Sequence, residues 1–156
     1  MKTINEISVR EQMIQKAIEL LKPVIEPMSA TVHRSPSVAL QREDLPALVI
    51  FPEKDELKAI KNLLVERELT IRVVALSRAD GISAAETLAD KLGTAAHATL
   101  MGNHNLGGLC QKIVAADCEW NIEEADGAVG EIPARYVISY HTLLKDISST
   151  VQRSIV

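Results

Sequence analysis

The stretch Val65 to Arg78, V-E-R-E-L-T-I-R-V-V-A-L-S-R, constrains the fold more than any other. From Glu68 to Val73 the side chains alternate, with Leu69, Ile71 and Val73 on one face and Glu68, Thr70 and Arg72 on the other. A period of two, rich in β-branched residues, predicts a half-buried strand. Val74 and Leu76 turn the polar face apolar near its end, which predicts cover on both sides there. Asp80-Gly81 then marks a turn. Ser83-Ala-Ala-Glu86 has the form of a capping box, in which the hydroxyl accepts from the Glu86 N–H and the carboxylate from the Ser83 N–H. The helix predicted to follow carries Ala85, Leu88, Leu92, Ala95, Ala96 and Thr99 on one stripe.

The remaining segments supply neighbours for this unit. Ser8-Val9-Arg10-Glu11 is a second capping-box pattern. It opens a helix whose apolar face is Val9, Met13, Ile14, Ala17, Leu20, Leu21 and Val24, with Pro23 and Pro27 limiting its end. Ala30 to Ser35 alternates weakly as an edge strand, Pro36 to Asp44 reads as a loop, and Pro46 to Pro52 as a short buried strand. Glu53 to Leu64 is ambiguous: Leu57, Ile60, Leu63 and Leu64 fit a helix, yet Leu63 and Val65 extend the next strand backwards. It is read as a mobile connection whose tail joins the long strand.

Beyond the second helix, Gly102 to Gly108 is a loop of turn formers. Lys112 to Ile122 is predicted as a strand with Val114, Ala116, Cys118, Trp120 and Ile122 on its apolar face. Glu123 to Gly130, centred on Asp126-Gly127, is a hairpin connection. Pro133 to Leu143 is the last strand, with Tyr136, Ile138 and Tyr140 on one face and Val137 and Ser139 on the other. The expected fold class is α+β, a mainly antiparallel sheet with two helices packed on one face. Residues 1–147 form the single domain and 148–156 a loose polar tail.

Several function classes are disfavoured. At 3% aromatic residues there is no stacking platform for single-stranded nucleic acid, and a net charge of −4 argues against binding a phosphate backbone. Cys110 and Cys118 lie too far apart along one extended segment to bridge, and Met1 to Asn5 is followed by no apolar leader, so a reducing cytoplasm is expected. His33, His97, His104 and His141 lack metal-ligand spacing, and His97 reads as a helix-surface residue. Cys118 reads as a small core residue. Glu123, Glu124, Asp126 and Glu131 form a solvated acidic tip without a calcium-loop pattern. Leu106-Gly107-Gly108 lacks the spacing of a phosphate cradle, and G-x-S-x-G is absent. No catalytic residue, metal or cofactor is assigned, and no enzyme activity is expected.

The order of elements and several phrases resemble a known family. They are L-P-A-L-V-I-F-P (Leu45 to Pro52), R-E-L-T-I-R-V-V-A (Arg67 to Ala75), the capped helix from Ala84 to Leu92, and a hairpin from Glu119 to Thr142. The hairpin reads E-W-x-I-x-x-x-D-G, then G-x-I-P-A-R-Y-x-I-x-Y-x-T, with Trp120 before the turn and Arg135-Tyr136 after it. Together, over Ser8 to Leu144, these resemble the tail terminator (tail completion) proteins of long-tailed bacteriophages and prophages, the minor tail protein U type. The resemblance implies a structural homo-oligomer, usually a six-subunit ring, in the virion tail or the host cytoplasm during assembly. Such a ring caps the tail tube, joins tube protein to a head connector protein, and lets DNA pass without gripping it. The chain departs from the family in its Glu53–Leu64 connection and its C-terminal extension.

For self-association the reading points to Lys54, Asp55, Glu56, Leu57, Ile60 and Leu63 and to the adjoining edge at Val65. The alternatives are a head–tail connector or adaptor of related fold, or a small-molecule binder or enzyme using the Met101–Gly108 loop with His104.

Overall fold

A computed structural model describes residues 6–34, 45–78, 81–120 and 129–150 of the chain. Its elements run α1 (Val9–Ile25), β1 (Thr31–Arg34), β2 (Ala47–Lys61), β3 (Leu64–Arg78), α2 (Ile82–Gly102), β4 (Lys112–Cys118) and β5 (Val129–Leu143). Short 3-10 turns follow α1 (Glu26–Met28) and α2 (Leu106–Gly108). The strands form one sheet in the order β1-β2-β3-β5-β4, with β1 parallel to β2 and every other pair antiparallel. The chain is α+β, and both helices lie on one face of the sheet. No described helix is long and apolar enough to cross a membrane.

The predicted long strand is β3, the centre of the sheet. It pairs with β5 along its whole length, from Leu64↔Leu143 to Arg78↔Val129, and with β2 from Ala47↔Leu76 to Lys61↔Leu64. Leu69, Ile71 and Val73 are buried toward the helices, as their alternation requires. They meet Val9, Met13, Ile14, Ala17, Leu21 and Ile25 of α1 and Ala89, Leu92, Ala96 and Leu100 of α2 in one core. Tyr136, Ile138 and Tyr140 of β5 join the same core. Val74 is buried on the second face, where Ala47, Val49 and Thr70 are buried too.

The helix starts differ from one another. Ser8 caps α1, its hydroxyl accepting from the Glu11 N–H at 3.1 Å. The Glu11 carboxylate does not return to Ser8. It pairs with Arg34 of β1 and takes a bond from Gln15 at 3.0 Å. The capping box at Ser83 is corrected. Here α2 starts at Ile82, after Gly81 at φ 100°, so Ser83 already lies inside the first turn and its carbonyl accepts from the Thr87 hydroxyl at 2.9 Å. Pro23 likewise does not end α1, which continues through it to Ile25 before Pro27 enters the 3-10 turn.

The predicted mobile connection at Glu53–Leu64 is also corrected. Its residues form the distal half of β2 and a tight turn to β3, with Asn62 in the left-handed region (φ 59°). Register shifts between Pro52 and Lys54 and between Leu57 and Ala59 reset the phase of the side chains twice. A strand interrupted in this way carries no continuous period of two, and its apolar residues imitate a helical spacing. Pro52 is tolerated because β1 pairs only with Ala47 to Ile50, leaving Pro52 on an unpaired edge among the described residues.

The expected phase of β4 is reversed from Lys112 to Ala115. A register shift between Ala115 and Cys118 then sets Cys118 opposite Ala134 on the helix face, where it is still exposed. Ile113 is the buried residue, paired with Ile138 on the helix face, while Val114, Cys118 and Trp120 are exposed. β4 is an edge strand covered on one face only, so Ile113, not the longer run of alternate apolar residues, meets the core. The supposed loose tail is anchored as far as Thr150. Val9 N–H donates to the Ile147 carbonyl at 2.7 Å, Gln12 to the Ser148 carbonyl at 2.9 Å, and Thr150 bridges Thr142. The Pro36–Asp44 loop, Asp80, the Asp126-Gly127 turn and the chain beyond Thr150 lie outside the described residues.

Candidate functional site

The seven residues assigned to self-association divide into four environments. Leu57, Ile60 and Leu63 are 49%, 51% and 62% exposed, on distal β2 and its turn, where large aliphatic side chains gain nothing from solvent. Leu143, Leu144 and Ile147 are exposed at the same end of the sheet, tied to it by the Leu144 N–H donating to the Leu63 carbonyl at 2.8 Å.

Lys54 and Glu56 belong to the opposite face of the sheet. They pair with each other at 2.8 Å, which holds the Glu56 carboxyl below its ordinary range and raises the Lys54 ammonium. Val65 is a correction: it is fully buried in the central strand, not at an edge, because β2 and β5 flank it on both sides.

Asp55 lies on the helix face, opposite Leu69. Its side chain is 9% exposed, and one oxygen, Oδ2, accepts from both Arg10 Nη1 at 2.7 Å and the Tyr140 hydroxyl at 2.6 Å. The other oxygen, Oδ1, is buried with no hydrogen-bond partner. Burial, then the Asp55 carboxylate, pushes the Tyr140 phenol well above its ordinary range. No sequence spacing announces this node, whose members are 45 and 85 residues apart.

The second face of the sheet is a lattice of ion pairs. Arg135 on β5 donates from Nε to Asp117 on β4 at 2.6 Å and lies 3.4 Å from Glu119 and 3.7 Å from Glu53. Glu53 also faces Arg72 at 3.4 Å. Lys58 stands 3.8 Å from both Glu56 and Glu68. Hydrogen bonding to Arg135 holds the Asp117 carboxyl below its usual range. Exposed pairs of this kind contribute little each to stability. Their effect is to keep strongly solvated charge on this face.

One hollow of about 220 Å³ opens on that lattice, lined by Lys58, Glu66, Glu68, Gln111, Ser139 and His141. His141 Nε2 is 3.9 Å from Glu66, and its Nδ1 is buried without a partner. The hollow is walled by mixed charge, Lys58 and Arg67 against Glu66 and Glu68.

The remaining candidates are dispersed. His97 is exposed on α2, as expected for a helix-surface residue, and its Nδ1 is 2.9 Å from the Tyr136 hydroxyl. Cys118 is exposed, which corrects its assignment to the core, and Cys110 is the buried cysteine. In the Met101–Gly108 loop, His104 is exposed and its carbonyl accepts from the Cys110 thiol at 3.3 Å, while Leu106 is buried as an anchor. Among the described residues, no three His, Cys, Asp or Glu side chains gather into a metal-binding group. No protein-family model matches the chain, and no curated protein matches it in sequence.

Proposed function

We propose that this chain is a structural assembly protein of the tail terminator kind, closing into a ring through distal β2 and its turn. The observation that carries the reading is the run beyond Ile50, where β2 continues past the end of β1 with Leu57, Ile60 and Leu63 exposed. An edge strand with half-exposed aliphatic residues invites pairing with another chain. A heterologous contact that closes on itself covers such a surface once per subunit and leaves no free copy of it, whereas an open one makes filaments. The ion-paired second face supplies no excess positive charge, which suits a ring that lets DNA through without holding it.

The test is native mass by light scattering across a concentration series, with purified tail tubes added in a parallel set. A closed assembly of about six subunits, lost in L57D/I60D/L63D while the circular dichroism stays native, is the expected result. A monomer at every concentration that also fails to associate with tail tubes would overturn the reading.

A further inference from the structure

Distal β2 is held to the body of the protein in an unusual way. The strand breaks register on both sides of Asp55, between Pro52 and Lys54 and between Leu57 and Ala59. On the helix face of this run, Leu57 and Ile60 are half exposed and contribute little packing. Of the described residues Glu53 to Lys61, Asp55 alone bonds to a helix, through Arg10 in the first turn of α1. Tyr140 of β5 binds the same carboxylate oxygen from below.

A nearly buried carboxylate with one oxygen carrying two bonds and the other carrying none is a costly way to gain stability. It is an effective way to gain register. A slip of one residue along β3 would carry Asp55 to the opposite face and turn Lys54 or Glu56 toward Arg10 and Tyr140.

We infer that the Arg10–Asp55–Tyr140 node is a latch that fixes the register and pose of distal β2 against α1, and whose release frees residues 54–61 without unfolding the core. Asp55 and Tyr140 act here as positioning residues. The inference stands apart from ring formation, since the latch lies wholly within one chain.

Hydrogen exchange of the full chain, read by mass spectrometry at two protein concentrations to separate any shielding by a second copy, tests it. In Asp55→Asn and in Tyr140→Phe, the ladder amides of residues 54–61 are expected to exchange at least tenfold faster, as local opening requires. Those of α2 and of β5 from Ile132 to Ile138 should keep their wild-type rates. A uniform rise over the whole chain would mean that the node only adds global stability, and no change in either variant would mean that the strand is held by its ladder alone. Either result overturns the latch.

Discussion

Gly130, near the start of β5, rests its bare α-carbon on the carbonyl of Ala85 in the first turn of α2, where a Cβ would overlap both the carbonyl and the next backbone nitrogen. Its register partner on β3, Ser77, is fully buried and donates its hydroxyl to the same Ala85 carbonyl. The two residues seat the helix N-terminus on the sheet, one by having no side chain and one by a hydrogen bond.

Gly130→Ala is therefore expected to cost about 3 kcal/mol, the upper end for overpacking, because the obstacle is backbone and cannot rotate away. Ser77→Ala should cost about 1 kcal/mol, the worth of one hydrogen bond. Urea denaturation of the two variants checks the order; a harmless Gly130→Ala would mean that α2 can lift off the sheet.

The two serines of the capping-box patterns are expected to behave oppositely. Ser8→Ala removes the bond to the Glu11 N–H and should lower stability by about 1 kcal/mol. Ser83→Ala removes an exposed hydroxyl inside the first turn of α2 and should stay within about 0.5 kcal/mol of the wild type. Comparing their melting temperatures is sufficient.

The thiols should separate kinetically. Burial pushes Cys110 up to about 12 and encloses it, whereas Cys118 is exposed on β4, raised by partial desolvation and then by Asp117. At neutral pH a thiol-reactive probe should label Cys118 within the time that leaves Cys110 intact, and the second equivalent should appear only on unfolding. Equal labelling rates would show that Cys110 opens to solvent in the native state.

In alkali, burial pushes the Tyr136 phenol from 10.0 up to about 12, because the phenolate is poorly solvated there. The folded state then holds a proton that the unfolded state has already released, so stability is complete below about pH 10 and declines as pH rises toward 12. Denaturation midpoints at pH 9 and pH 11 should show the fall, and Tyr136→Phe should reduce it.

Where one face of an element meets one environment, the sequence was legible. Leu69, Ile71 and Val73 alternate because the helices cover one side of β3 throughout, and Met13, Ala17 and Leu21 recur because one side of α1 is covered. Legibility failed where the environment changes along an element. The two register shifts in β2 erased its period, so Glu53 to Leu64 looked like a connection. On β4 the sign of the alternation was not legible, since Val114 is apolar and exposed while Ile113 is buried, and the register shift between Ala115 and Cys118 changes the phase again. The exposed aliphatic residues Leu57, Ile60 and Leu63 stood out within a charged run and were visible without a structure. The Arg10–Asp55–Tyr140 node was not, because only the closed sheet brings its three residues together.

The pairing of β3 also dictates an order of events during synthesis. Its β2 edge is paired within one hairpin, whose residues 47–78 are contiguous in the chain. Its other edge, from Leu64 to Arg78, has to wait for residues 129–143. Until residues 129–143 have been made, the backbone groups of Leu64 to Arg78 that face β5 lack the partner they have in the finished sheet. That interval leaves a long strand edge open to a chaperone or to a neighbouring nascent copy.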